Sequence, residues 1–408
     1  MEKRIAKNGF YLLLGQVISR AIGFFYFIFL ARSLAVEAFG VYAWVLGFIF
    51  NFLPVADFGI ERYILKNLPR HLDKAEEYFR HLLGLKIILA CLTTLLVVSL
   101  GFLMGLSGEK LISLLIFSLL FFPQNIFHLI ISFQNAREEV LTGVAANIFF
   151  SLLGALLGVA AVRRGLGVPW LFVSYLASLV MVVLGLTVRA KKLNLPLKPK
   201  FEKKTALLVW RECRFFALLV VMGTFYLRIP LITIGQMMGD YWAGIYGSIS
   251  KFLEAGVLIP QAISLAVAPT FSRLLLTDKK SLKKIYFKTG TIVVALGLIP
   301  LLFFLFGDNF FINLIYGERY LPAASSLKIL GFTFPLLFFN YLAANIIENS
   351  PEVKKFLPLA VGHFLFVFLS AIVLSAKFGV MGGAASLLSG EILRFFLNQK
   401  FVSQILIN

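Results

Sequence analysis

The sequence predicts an all-α polytopic membrane protein with twelve transmembrane helices. Three observations carry that reading. Hydrophobic residues make up 60% of the 408 residues and charged residues only 14%, whereas a soluble domain carries about 25% charged residues. Mean hydropathy is +0.90. Twelve apolar runs are long enough to cross a hydrocarbon core of about 30 Å, which takes about 20 helical residues. A chain of this composition has too little polar surface to clothe a soluble globule. A soluble multidomain enzyme, a disordered chain and a fibrous protein are thereby excluded.

The runs lie near residues 9–32, 39–60, 81–104, 111–133, 140–162, 169–188, 215–238, 243–272, 289–306, 322–346, 356–376 and 379–398. The first is too long for a signal peptide, holds Arg20 at its middle and lacks a small-residue cleavage pattern. The eighth is long and contains Pro260 and Pro269, which predict a kink. Between the sixth and seventh runs lies a segment rich in Lys and Pro. It divides the chain into an N-terminal six-helix half (1–188), a basic linker (189–214) and a C-terminal six-helix half (215–408). The longest outer connection is expected to be a loop from Gly307 to Leu321.

The net charge is +19 and the pI about 9.9. In a soluble protein that would suggest nucleic acid. Here the distribution of cations decides otherwise. With the N-terminus inside, most Lys and Arg fall on inner segments: Lys3, Arg4 and Lys7, then Arg62 to Arg80 with Arg70 and Lys74 between them, the linker, and Arg273 to Lys288. Outer segments hold only Arg32, Lys110, the pair Arg163–Arg164, Arg319 and Lys377. The positive-inside bias places both termini in the cytoplasm of a multi-pass cell-membrane protein and leaves no call for a nucleic-acid partner. Cys91 and Cys213 sit far apart in apolar surroundings and suggest neither a disulfide nor a metal site. Phosphate-cradling Gly loops and His/Cys clusters are absent, so neither cofactor nor metal nor ATP-driven pumping is expected.

The halves contain a short echo. Residues 34–44 read LAVEAFGVYAW and 238–248 read MGDYWAGIYGS, each an outer turn leading into Gly-[Val/Ile]-Tyr, with Gly40 and Gly244 half the chain apart. Pro54 and Pro260 follow. An even number of spans per half keeps both halves in one orientation, as in transporters built from parallel repeats.

A charge at the bilayer centre costs about 2.5–3.5 kcal/mol on insertion scales, so an intramembrane charge asks for a reason. Arg20 shares a helical face with Gln16, Ser19 and Gly23, and Arg228 lies near the centre of the seventh span. Neither has an acidic residue in its own span, so both are expected to face water or a polar ligand. The eighth span sets Gly247, Lys251, Glu254 and Gln261 on one stripe, with Lys251 and Glu254 spaced to pair. Asn51, Asp57, Gln124, Asn125, His128 and Asn147 complete the polar inventory of the first half. Bland readings stand beside these. Lys86, Lys328 and Arg394 lie near span ends and are expected to snorkel. Gly143, Gly154 and Gly158 with Ser151 read as a packing stripe. His128 reads as an interhelical hydrogen-bonding residue.

Five segments in register carry a family resemblance: ARSLAVEAFGVYAW (31–44), VADFGIERYILKNLPR (55–70), GDYWAGIYGSISKFLEAGVLIPQAISLAVAPTFSRL (239–274), YGERYLPAASSLKIL (316–330) and KFGVMGGAASLLSGEI (377–392). Across essentially the whole chain they resemble the polysaccharide-export branch of the superfamily that includes the multidrug and toxic-compound extrusion (MATE) pumps and the lipid II flippases. The resemblance implies a MATE-like fold of two six-helix lobes around a central V-shaped cavity, with alternating access. It implies a substrate of sugar units on a polyprenyl phosphate or pyrophosphate. In lipid II flippases, basic residues on the first and eighth helices line the cavity, and Arg20 and Lys251 occupy comparable places. Two departures stand out. Lipid II flippases have fourteen spans rather than twelve, and Arg228-Ile229-Pro230 replaces the Arg-[Ile/Leu]-Asp frequent in this branch.

The expected function is therefore flipping of a lipid-linked oligosaccharide from the inner to the outer leaflet for surface polysaccharide biosynthesis, in contact with membrane lipids and without catalysis. Arg20, Arg228 and Lys251 are the expected phosphate ligands, and Gln16, Asn51 and Asn147 the sugar contacts. Glu254, Asp57 and His128 are the candidates for Na⁺ or H⁺ coupling. Two rival readings have less support. A cation-coupled multidrug exporter of the same fold usually holds a carboxylate deep in its first helix, where this chain has Arg20. A membrane glycosyltransferase or polymerase usually carries paired acidic residues on a large outer loop, where this chain has only Asp308 and Glu318.

Overall fold

The computed structural model describes residues 2–70, 75–192 and 195–407. Lys74, and the side chains of Lys3, Arg4, Lys7 and Arg70, lie outside the described residues. Among the described residues all regular structure is helical. In chain order the helices are α1 (Glu2–Ser33), α2 (Val36–Asn51), α3 (Leu53–Asp57), α4 (Ile60–Asn67), α5 (Ala75–Leu103), α6 (Gly108–Ser118), α7 (Phe121–Ala136) and α8 (Val140–Arg163). They continue with α9 (Val168–Lys192), α10 (Lys203–Phe225), α11 (Ile229–Met237), α12 (Asp240–Gly256), α13 (Leu258–Thr277), α14 (Lys279–Tyr316), α15 (Ala324–Asn349) and α16 (Val353–Ile407).

Ten helical stretches among the described residues are long and apolar enough to span, and the bent pair α10–α11 makes eleven. The stretch Val353–Leu406 is interrupted at Gly379, whose φ of 59° and ψ of −134° break the helix. That break falls where the sequence separates its eleventh and twelfth runs. Large apolar side chains such as Phe102, Leu103, Leu276, Phe306 and Phe310 stand exposed, which water would not tolerate over so much surface but acyl chains do.

The chain forms two compact units, Met1–Leu34 with Val45–Val221, and Ala35–Trp44 with Met222–Asn408. In the first, small residues let helices approach closely. A Cβ on Gly158 of α8 would lie 1.8 Å from the Tyr26 hydroxyl of α1, and one on Gly154 would meet Ser178 of α9 at 3.1 Å. The glycine stripe of the fifth span is thus a packing surface, as expected from sequence. In the second unit, a Cβ on Gly297 of α14 would lie 2.7 Å from the Pro335 backbone of α15, and one on Gly383 of α16 would lie 2.6 Å from Ile234 of α11.

Three expectations need correction. The outer loop from Gly307 to Leu321 is mostly helical: α14 runs on to Tyr316, with one non-helical residue at Gly307, and a 3₁₀ turn follows at Glu318–Ala323. The ring contacts of Phe311 with Phe303 and Phe304 hold the extra turns in place. The linker 189–214 is also largely helical, since α9 ends at Lys192 and α10 begins at Lys203. What lies between is pinned to α5: Lys200 N–H donates to the Arg80 carbonyl at 3.1 Å, and His81 Nδ1 lies 3.0 Å from Glu202 Oε2. The eighth span is interrupted at Val257, between α12 and α13, and not at a proline; Pro260 sits in the first turn of α13, where a missing N–H costs least, and Pro269 lies inside that helix.

Candidate functional site

The seventh span breaks at Arg228. α10 and α11 meet there at 52°, and Pro230 starts α11 where its absent N–H has no helical acceptor to miss. The break leaves Arg228 beside the eighth span. Its Nη2 lies 2.9 Å from Glu254 Oε1, while Lys251 Nζ lies 2.7 Å from Glu254 Oε2. One carboxylate therefore bridges two cations, and the three charges sum to +1. All three side chains keep partial access, at 19%, 22% and 30% for Arg228, Lys251 and Glu254. Arg228 thus has the acidic partner that its own span lacks, supplied by the next one. A guanidinium fork and an ammonium at one point form a binding group for phosphate oxygens.

The other predicted ligands belong to the first unit. Arg20 and Gln16 are both exposed on α1, next to the face that Gly15 presses against Val144 of α8. Asn147 is half-buried and its Nδ2 donates to the Gly143 carbonyl at 2.9 Å, one turn back on α8. Asn51, at the end of α2, is fully buried, and neither of its amide atoms has a hydrogen-bond partner. In this conformation Asn51 is out of reach of a sugar.

The coupling candidates of the first unit form one polar cluster. Asp57 Oδ1 lies 2.7 Å from Lys86 Nζ, and Asp57 Oδ2 accepts from the Gly59 N–H at 3.1 Å. Lys86 is entirely buried, so it does not snorkel: a helix interior one turn deeper than expected puts Asp57, rather than water, within its reach. Asn125 Nδ2 ties the backbone of both sides together, donating to the carbonyls of Ala56 (3.1 Å) and Lys86 (2.9 Å). One turn along, Glu61 pairs with His128 Nδ1, and His128 Nε2 lies 2.6 Å from Gln124 Nε2. His128 is an interhelical residue, joining α4 to α7. The Glu61 carboxyl is held down to about 2: desolvation works to raise it, and the charge and hydrogen bond of His128, with the charge of Lys86, outweigh that.

A third cluster was not anticipated. Arg394 was expected to snorkel, but its Nη1 donates to the Tyr226 hydroxyl at 2.9 Å, with the guanidinium 5.2 Å from the same ring, and lies 3.8 Å from Glu391 Oε1. Glu391 is fully buried and its Oε2 accepts from Asn340 at 2.7 Å; Asn398 in turn donates to Asn340 at 3.2 Å. Arg394, Glu391 and Asn398 on α16, Asn340 on α15 and Tyr226 from the break in the seventh span form one polar network, in which Glu391 Oε1 and Asn398 Oδ1 have no hydrogen-bond partner. Lys328, the remaining residue expected to snorkel, pairs with Asp308 at 3.2 Å near the C-terminal end of α14.

The chain matches the family described as "Polysaccharide biosynthesis protein" over residues 5–275. A capsular polysaccharide biosynthesis protein, CapF, from Staphylococcus aureus is 25% identical over 173 residues, a stretch that covers 41% of this chain and 42% of that protein. Among solved structures, an inward-facing multidrug resistance MATE family transporter of the MOP superfamily superposes with a TM-score of 0.76 at 15% identity, covering 95% of both chains. Lipid II flippase MurJ in an inward closed conformation gives 0.73 at 14% identity, covering 97% of this chain and 88% of that one. A MOP superfamily transporter from Pyrococcus furiosus, described as having a binding pocket of reversed polarity, gives 0.65 at 16% identity, covering 99% and 96%. At these identities the solved structures establish the MATE-like fold alone, while the family match spans more than half the chain: the protein belongs to the polysaccharide biosynthesis protein family.

Proposed function

We infer that this protein is a flippase that carries a polyprenyl-(pyro)phosphate-linked oligosaccharide from the inner to the outer leaflet by alternating access of two six-helix lobes. The single observation that carries the reading is the Arg228–Glu254–Lys251 cluster, a net-cationic group set at a break in a membrane span. A transporter of hydrophobic cations has no use for such a group; a lipid-linked anion does.

The physics of the cargo fits. A sugar headgroup in hydrocarbon loses its water hydrogen bonds at several kcal/mol each. The isoprenoid tail dissolves in lipid. The protein need shelter only the head, with Arg228, Lys251 and Arg20 on the phosphates and Gln16 among the sugars. Both termini lie in the cytoplasm of the cell membrane in this reading, so cargo leaves a negative interior. Each charge moved through 100 mV gains about 2.3 kcal/mol, and a dianion about 4–5 kcal/mol. That gradient drives export without a nucleotide. Glu254, Asp57 and His128 are the groups at which Na⁺ or H⁺ couples to this cycle.

Proteoliposomes with a fluorescent polyprenyl-diphosphate oligosaccharide test this. Wild-type protein should move the label between leaflets, and R20Q and R228Q should each slow it at least tenfold. Unchanged flipping in both variants removes the phosphate assignment. Depletion in cells should make lipid-linked sugars accumulate, read by mass spectrometry.

A further inference from the structure

Glu254 stands where a substrate phosphate would stand. One of its oxygens is on Arg228 at 2.9 Å and the other on Lys251 at 2.7 Å, so the carboxylate holds both cations through the two-oxygen bridge that a phosphate would use. The titratable and charged groups facing it are Lys251 on its own helix, Arg228 at the head of α11 and Tyr316 at the end of α14. Tyr316 is 2% exposed, and its hydroxyl has no hydrogen-bond partner. The Tyr316 hydroxyl is thus a buried donor without an acceptor in this conformation.

We propose that Glu254 is a displaceable internal counter-ion, which competes with the phosphate of the cargo for Arg228 and Lys251 and takes up a proton from water when displaced. The proposal rests on the phosphate reading of this site given above. Two anions cannot both keep the two cations. When the phosphate takes them, Glu254 is left in a partly buried place beside a new negative charge. Desolvation and like charge then both favour its neutral form. The carboxylate gains one H⁺, which offsets one unit of the negative charge that the anion brings. By linkage, anion binding and proton uptake strengthen each other, and anion release returns the proton. An empty carrier then carries its own neutralising anion, so its cations do not have to cross the cycle unpaired. Such a device gives the flippase proton coupling without a dedicated proton path, and it places the coupling in the cargo site itself.

The test uses full-length protein in nanodiscs, with binding of inorganic pyrophosphate and of farnesyl diphosphate measured calorimetrically from pH 5 to pH 8. E254Q should bind either probe at least tenfold more tightly than wild type at pH 7.5, and the two proteins should converge toward pH 5. In buffers of different ionisation enthalpy, wild type should take up more protons per probe bound than E254Q, by up to one. Tighter binding of farnesyl diphosphate than of pyrophosphate assigns the site to a lipid-linked anion, and equal binding to a free one; the competition holds in both cases. Equal or weaker binding by E254Q overturns the proposal. Should E254Q not fold, E254D, one methylene shorter, must also bind more tightly than wild type, and equal or weaker binding overturns it. R228Q/K251Q separates the two readings. If that variant binds as well as wild type, the phosphate site itself is wrong; if it loses binding while E254Q gains none, the site stands and only the counter-ion role falls.

Discussion

Gly40 and Gly244 face each other at backbone distance. A Cβ on Gly40 would lie 1.8 Å from the Asp240 carbonyl oxygen and 2.8 Å from the Gly244 nitrogen, and one on Gly244 would lie 2.3 Å from the Val36 carbonyl oxygen. The two glycines that mark the echo in the sequence are therefore one contact, where the first turns of α2 and α12 cross. Trp44 and Ile232 fix the same corner, through a 3.0 Å hydrogen bond from the indole N–H to the carbonyl. Backbone cannot move aside as a side-chain tip can, so G40A should destabilise by at least about 1–3 kcal/mol. G185A, where a Cβ meets nothing within 4 Å, should be neutral or stabilise by about 0.5–1 kcal/mol. Thermal melts of the purified protein in detergent compare the two, and an undisturbed G40A would contradict the crossing.

The Asp57–Lys86 pair makes a sharper demand. Lys86 has no access to solvent. Removing its carboxylate leaves a buried ammonium without its directly bonded counter-ion, which costs about 3–5 kcal/mol. D57N should therefore lose far more stability than the double variant D57N/K86M, which removes both charges and keeps the volume. The melting temperature of the double variant should recover most of the way to wild type. Equal losses in single and double variants would mean that the charge pairing is not what the cluster contributes.

Spans and family were legible in the sequence because hydropathy and short motifs are local properties. The polar clusters were not. Glu254 reaches Arg228 from the next span, and Asp57 reaches Lys86 from the previous one. Searching each span for its own counter-charge misses both. Lys86 and Arg394 were misread for one reason: closeness to the end of an apolar run says how near water is along the axis, while burial depends on which side of the helix carries neighbours. The helical continuation to Tyr316 was hidden by Gly307 and Asp308, which read as loop residues, although Asp308 finds Lys328. One signal was available: Glu391 and Arg394 are spaced at i, i+3, the same spacing as the recognised Lys251–Glu254 pair.

Tyr226 gives a graded test of the third cluster. Its hydroxyl accepts from Arg394 at 2.9 Å and its ring lies beside the same guanidinium. Y226F keeps the ring and removes one hydrogen bond to a charged group, worth about 1.5–3 kcal/mol. Y226A also removes the ring contact and leaves a void, and should cost clearly more. Denaturation midpoints in the order wild type, Y226F, Y226A are expected. If Y226F equals wild type, the hydroxyl does not anchor Arg394.

The Glu61–His128 pair predicts a pH dependence whose sign is fixed. The folded-state carboxyl of Glu61 is held down to about 2, against an ordinary value of about 4.5. Desolvation opposes that shift, and the charge and hydrogen bond of His128 together with the charge of Lys86 overcome it. A lowered carboxyl stabilises the fold fully above its unfolded value, and that stabilisation is lost as pH falls from about 4.5 toward 2. E61Q, which does not titrate, should therefore melt below wild type at pH 6, with the gap closing as the pH is lowered through that window. H128Q removes the leading stabiliser of the carboxylate while desolvation remains. The lost stability of H128Q should then set in at a higher pH than in wild type. Fluorescence-detected melts between pH 3 and pH 7 read both effects, and a gap between wild type and E61Q that stays constant across the range would show that Glu61 holds α4 to α7 without its charge.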